Sequence, residues 1–477
     1  MKKSFILLVA LCVMAVPAVT AQTGSGNCGD NLTWSVGTSI TNLITLTISG
    51  SGDMYDYKEG TAPWYPMKDQ IDIITIGENV TSIGDYAFYG LKHVNSISIP
   101  DKVKTVGKKA FASIVLDRVR IGSSVEHIDY SAFTSVSTIF WATDVYIQDR
   151  STYSEWVFED CNTSVKKFVV EDNVTTLPPY LCMGMESLTT LELSDDIEEI
   201  GQQCFSGCSS LTSVKLPKFL TVISDRMFER CSSLKTINLG ERNITTIEAQ
   251  AFDGCSSMQS ITIPETMKKI DWWAFRGCSS LRTVIWNATN YDFVFSGSSG
   301  NIGPFDDISA GIFSFTFGSK VKSVTPHLCQ RMSALTDVEI PEGVQKVGEY
   351  AFEGCRLLRT VTLPATMQTI GERAFANCTS LQQITCHGCP PPILRTGVFE
   401  GCNSNLNNIN LTLTGGCDNQ YANTAVWKEF NIGSMQGIDQ VPRDQVPGTK
   451  LLRDGQLYLI YEGRMYDVLG REAALKR

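Results

Sequence analysis

A phenylalanine returns along almost the whole chain at nearly constant spacing. Phe88, Phe111, Phe133, Phe158, Phe205, Phe228, Phe252, Phe275, Phe352, Phe375 and Phe399 each sit in a version of one phrase. Its fullest copies read Val-x-x-Ile-Gly-x-x-x-Phe-x-x-Cys-x-x-Leu-x-x-Val-x-Leu/Ile-Pro. Steps of 22 to 25 residues separate most neighbours in the column. Leu181 and Leu328 are expected to take the aromatic place in two copies, and Phe305 marks a distorted one, giving about 14 units. Self-similarity at such a period specifies a solenoid. It also moves the functional question from a catalytic pocket to a long exposed face.

The unit from Ile197 to Pro217 shows how each copy builds core. Ile200, Phe205, Leu211, Val214 and Leu216 are its inward positions. Alternation over Val214 to Leu216 predicts a short strand, which Pro217 stops because it has no amide proton to give. Gly201 marks one bend and Gly207-Cys208-Ser209-Ser210 a second. Gln202 to Ser206 suits one helical turn that tucks Phe205 inward. Burial contributes roughly 1.5–3 kcal/mol per inward side chain, against roughly 1–2 kcal/mol per residue to order the backbone. A single unit therefore cannot stand alone, and stacking must close the gap. With a strand at the same place in every unit, one long parallel sheet is expected.

The hydrophobic share of 43% is ample for a continuous core, and the formal charge of −10 argues against nucleic-acid or anionic-membrane partners. Lys2 and Lys3, the apolar stretch Phe5 to Val16 and Val19-Thr20-Ala21 predict a signal peptide over residues 1–21. No later run reaches the ~18–20 apolar residues that a membrane span requires. Of 16 cysteines, removing Cys12 with the leader leaves an odd 15. Cys161, Cys208, Cys231, Cys255, Cys278, Cys355, Cys378 and Cys402 all fall three residues after the column aromatic. A repeated site favours a ladder of inward thiols over pairing into disulfides, although some bridging stays open.

The phrase Ile247-x-x-x-Ala251-Phe252-x-Gly254-Cys255-Ser256-Ser257 with Ile261-Thr262-Ile263-Pro264 resembles the BspA-like leucine-rich repeat proteins. The match covers roughly residues 70 to 415. The opening Cys28-Gly29-Asp30-Asn31-Leu32-Thr33-Trp34, then Leu46-Thr47-Ile48-Ser49 running into Gly50-Ser51-Gly52-Asp53-Met54, is also similar to the start of such proteins, and Tyr421, Trp427 and Phe430 are similar to their close. The resemblance implies an α/β repeat solenoid wound as a right-handed superhelix, export, and a role in adhesion or host-protein binding.

The expected organisation follows. A β cap over 22–66 with Trp34, Trp64 and Tyr65 precedes the solenoid over 67–402. A C-terminal cap over 403–435 carries a short helix around Tyr421 to Phe430, because a solenoid must cover its terminal coils. A Pro- and Gly-punctuated linker spans 436–448, and residues 449–477 form a small β-hairpin. The run Tyr466-Asp467-Val468-Leu469-Gly470-Arg471 is similar to C-terminal modules that sort and attach secreted proteins of Gram-negative bacteria with type IX export. A plain β tail is the alternative. Parallels between the stretches opening at Trp141-Ala142-Thr143 and Trp286-Asn287-Ala288-Thr289 point to a duplicated block, with both tryptophans packing at the seams.

The search for chemistry returns little. The four histidines, His93, His127, His327 and His387, are scattered. No zinc-binding His-Glu-x-x-His, Gly-x-Ser-x-Gly elbow or phosphate-cradling loop occurs. Gly24-Ser25-Gly26-Asn27-Cys28-Gly29 lacks the strand a dinucleotide fingerprint needs. Cys386-His387-Gly388-Cys389 has redox or metal spacing, but no second pair and three following prolines, which favours a turn. Asp195-Asp196 and Glu198-Glu199 read as a solvated edge. No catalytic residue, metal or cofactor is expected. What remains is the strand face, where Arg120, Glu192, Lys215, Asn238, Thr262, Glu339, Thr362, Thr385 and Asn410 alternate with the inward residues. That surface suits weak, multivalent contact with a protein, of host matrix or another microbe, or with a glycan. A glycan-capture role would need clustered aromatics, for which Trp272-Trp273 with Trp286 is the candidate. The chain is expected to act as a monomer.

Overall fold

The computed structural model describes residues 24–39, 42–145, 157–291, 303–415 and 417–434, and four strands beyond them. The expected leader over 1–21 and linker over 436–448 lie outside the described residues. About 14 coils stack along one axis. Thr360–Leu363 pairs in parallel with Asp337–Glu339 on one side and Gln383–Cys386 on the other. Farther along the same coil, Thr369–Ile370 pairs with Lys346–Val347 and Ile393–Leu394.

Each coil thus feeds two parallel ladders, where the sequence suggests one long sheet. The second ladder is built of dipeptides such as Thr246–Ile247 and Lys269–Ile270. One inward isoleucine gives no alternation from which to read a strand. Both ladders are also interrupted. The first shrinks to Ser213–Val214 and Thr236–Ile237 before the 3-10 turn Leu239–Glu241, and resumes at Ser260–Ile263.

The expected helical turn at Gln202 to Ser206 is absent. Gln203 and Gly207, two residues before and two after Phe205, both have left-handed backbone, with φ of 54° and 77°. The chain turns two corners around the phenylalanine instead of winding a helix. Asp418–Asn423 is the single α-helix among the described residues. Gly201 is required for a different reason: a Cβ there would meet the Pro179 nitrogen of the preceding coil at 2.4 Å.

Every column phenylalanine is buried, and so are Cys208, Cys231, Cys255 and Cys278. The rings stack along the axis, with centroids 5.6 Å apart for Phe205–Phe228, 5.6 Å for Phe228–Phe252 and 5.5 Å for Phe252–Phe275. The column holds a register that the sequence misassigns by one residue. The Phe252 amide donates to the Ala274 carbonyl of the next coil, and the amides doing the same at the two variant units are those of Cys182, to Cys204, and Cys329, to Ala351. Cys182 and Cys329, not Leu181 and Leu328, therefore occupy the aromatic place. The leucines take the place that alanine holds in Ala251-Phe252. Leu-Cys reads as Leu plus a spacer because leucine is the stronger apolar signal, whereas the backbone counts from the corner.

At the N-terminal end, Gly24–Asn27, Leu32–Thr38 and Ile44–Gly50 form antiparallel pairs, and the last of these meets Ile73–Ile76 in parallel. Trp64 stacks on Phe88 at 5.8 Å and donates its indole N–H to the Ala87 carbonyl. At the other end, Asn431–Ser434 adds a last parallel strand to Asn410–Leu413. Helix Asp418–Asn423 and the 3-10 turn Trp427–Glu429 stand where one short helix around Tyr421 to Phe430 is expected. Tyr421 and Trp427 are buried and donate to the carbonyls of Gly388 and Pro392. Cys389 forms a disulfide with Cys417, which settles the Cys386–Cys389 spacing: Cys386 remains a buried free thiol while Cys389 staples the turn. In place of a terminal hairpin, Thr449–Arg453, Gln456–Tyr461, Arg464–Asp467 and Glu472–Ala473 form a four-stranded antiparallel sheet.

Candidate functional site: the strand face

On the first ladder, side chains alternate between core and exterior, and the parallel register carries each exterior position into a row along the axis. Ser98, Arg120, Phe140, Val169 and Glu192 are successive partners in one stretch of that row. Thr262, Ile285 and Thr316 form a second stretch, and Glu339, Thr362, Thr385 and Thr412 a third. Lys215 and Asn238 directly follow the strands Ser213–Val214 and Thr236–Ile237. Eight of the nine positions singled out from the sequence thus share one row, one per coil; Asn410 does not, because it pairs with Gln383, and Thr412 is the partner of Thr385. Three apolar members, Phe140, Val169 and Ile285, escape a search for polar outward residues. All three are half-buried.

The charged members do not present bare charge. Arg120 forks onto both oxygens of Glu171, at 2.9 and 3.0 Å, and reaches Asp101 at 2.9 Å. The Asp101 carboxyl is held below the usual carboxylate range, first by the Ser123 amide and then by Arg120. Lys167 reaches Glu192 at 2.7 Å, and Lys215 lies 3.7 Å from Asp195. The Asn238 side-chain oxygen accepts the Leu216 amide at 2.7 Å, bridging two coils. The region of Thr262, Glu339, Thr362 and Thr385 carries fewer internal commitments, and short hydroxyl side chains there leave the surface shallow.

The aromatic cluster considered for glycan capture does not assemble on this face. Trp286 is fully buried, stacked near Phe315, and Trp141 is likewise interior. Trp272 and Trp273 sit together at the corner before Phe275, with the Arg276 guanidinium over the Trp273 ring at 4.7 Å and Arg276 also paired with Asp253. Among the described residues, no cluster of three or more His, Cys, Asp or Glu side chains has metal-binding geometry, and no helix is long and apolar enough to cross a membrane.

Stacked parallel-strand coils around a periodic apolar column, with a polar row facing outward, define a leucine-rich repeat protein. The BspA type leucine rich repeat region matches residues 65–185, 175–299 and 309–440, in 6 copies, and the chain belongs to that family. Among solved structures it is similar to a leucine-rich repeat protein from Bacteroides ovatus, at 20% identity over 77% of this chain and 98% of that one, with a TM-score of 0.39. It is also similar to a leucine rich cell surface protein from Faecalibacterium prausnitzii (20% identity, 75% and 94% covered, TM-score 0.28). A third similar structure is the pneumococcal vaccine antigen PcpA (14% identity, 87% and 98% covered, TM-score 0.31). No curated protein matches the chain.

Proposed function

We propose that this chain is an exported, adhesin-like binding protein, displayed at the cell surface or secreted, that engages host extracellular-matrix proteins or other cells through its strand face. One observation carries the reading: the outward row runs along the axis in stretches of parallel register, mostly polar and shallow, with Glu339, Thr362, Thr385 and Thr412 as its least committed stretch. Such a surface favours many modest contacts spread along an axis over capture of one small molecule. We read the segments before and after the coils as caps, the residues over 1–21 as the export leader, and the C-terminal strands as a separate module for sorting or attachment. Partner arrays test the function directly. The mature chain is applied to immobilised purified matrix proteins and to a polysaccharide panel. Saturable binding to a matrix protein supports the reading, and sub-micromolar binding to one glycan with none to any matrix protein overturns it.

A further inference from the structure

Just before each first-ladder strand from Thr236–Ile237 to Thr360–Leu363 lies another exposed position, tied to its neighbours by the backbone. The Arg282 amide donates to the Gln259 carbonyl at 2.9 Å, the Phe313 amide to Arg282 at 3.1 Å, and the Arg359 amide to Thr336 at 2.7 Å. Over six successive coils the row reads Lys235, Gln259, Arg282, Phe313, Thr336 and Arg359, all exposed. Phe313 is the single apolar member and stands 54% exposed. Its flanking residues Ile312 and Phe315 are already buried, so the fold gains nothing from a large ring at this place. Five neighbouring coils manage with polar side chains. Meanwhile Lys235, Arg282 and Arg359 form no ion pair among the described residues, unlike Arg120 on the adjoining row. Arg282 is held in place by the Ser279 and Leu281 carbonyls, at 2.9 and 3.0 Å. Parallel strands repeat at about 4.8 Å, so the three cations bracket the ring within a few coils.

We propose that Phe313 anchors the strand-face contact by inserting into an apolar socket of a protein partner, whose carboxylate rim pairs with Lys235, Arg282 and Arg359. The proposal rests on the strand-face reading above and names the partner's chemistry. A desolvated aromatic ringed by arginine is the composition that concentrates binding energy at protein interfaces. The flanking cations set orientation and association rate. A polyanionic glycan needs only the cations, and Phe313 would break its track.

The test compares the full chain with Phe313→Ser, with Arg282→Glu/Arg359→Glu, and with Thr362→Arg/Thr385→Arg. The probes are the purified matrix-protein array, soluble heparin, and the chain itself in sedimentation velocity. Expected is binding of an array protein that weakens at least about tenfold in Phe313→Ser. In the double charge reversal the same binding weakens and loses its salt dependence. Equal binding by Phe313→Ser, with binding lost in Thr362→Arg/Thr385→Arg, overturns the anchor and leaves the strand face standing. Binding to no array protein at about 10 μM removes both. Heparin binding that falls only in the charge reversal assigns the row to a polyanion instead. Self-association abolished by Phe313→Ser assigns it to a second copy of this chain.

Discussion

The Cys255 thiol donates to the Phe228 carbonyl of the preceding coil at 3.2 Å. Cys231 does the same to Phe205, Cys278 to Phe252, and Cys208 and Cys355 to Cys182 and Cys329. The repeated cysteine therefore fills a small apolar site and also gives a second hydrogen bond to a corner carbonyl that already accepts a backbone amide, as the Phe228 carbonyl does from Cys231. Cys255→Ala should lower stability by about 1–2 kcal/mol, through the lost volume of the sulfur and one lost hydrogen bond. Cys255→Val should cost as much or more by overpacking. Urea denaturation reads both. An unchanged midpoint for Cys255→Ala would mean that the thiol adds neither packing nor a useful hydrogen bond.

Phe252 lies between Phe228 and Phe275, and its ring is within 1° of parallel to Phe275. Phe252→Ala removes one ring from the middle of that stack. The expected loss is about 3–5 kcal/mol. Phe252→Leu should cost distinctly less, since it keeps most of the volume.

Buried thiols make the fold sensitive to alkali. Burial pushes Cys231 and Cys278 up to about 12, from an ordinary value of 9.0. The unfolded chain therefore releases these protons first. Their contribution to stability is intact below pH about 9 and is lost progressively as pH rises from there towards about 12. Denaturation midpoints measured at pH about 7.5 and about 10.5 should fall at the higher value, and Cys231→Ala/Cys278→Ala should flatten the fall. In the native protein at pH about 8, thiol reagents should leave these cysteines unmodified until the chain unfolds.

The Cys389–Cys417 bridge closes a span of 28 residues around the last full coil. Removing it as Cys389→Ser/Cys417→Ser should destabilise that end by about 2–4 kcal/mol. The effect should stay local, because each coil touches only its neighbours. Proteolysis should reach the segment around Tyr421 and Trp427 first, while the coils around Phe252 remain protected. Simultaneous loss of protection throughout would show that the array unfolds as one unit.

How much of this was legible beforehand depended on how far each feature repeats. Phe252 was readable because ten other units carry the phenylalanine, and Cys255 because seven of those carry the cysteine at the same offset. The second ladder was not, since Thr246-Ile247 is too short to alternate. The left-handed corners were half readable. After the phenylalanine, Gly207, Gly254 and Gly277 announce a positive φ, whereas before it Gln203, Arg226 and Trp273 adopt one without any sequence sign. The shift from Leu181 to Cys182 needed the hydrogen-bond register. The outward row around Thr362 followed from strand alternation. Phe313 did not, because an exposed phenylalanine and a core phenylalanine look alike until the neighbouring coil fixes which way the ring faces. Trp286 was legible as a packing residue at the seam between blocks and lies fully inside, which removes it from the aromatic cluster that glycan capture would need.

The most direct test of the account is the affinity of the array-selected matrix protein for Thr362→Arg/Thr385→Arg, which places two long cations on the least committed part of the outward row while leaving the core untouched. Binding should weaken by at least about tenfold with the urea midpoint unchanged. Affinity equal to that of the unaltered chain would contradict the assignment of binding to the strand face.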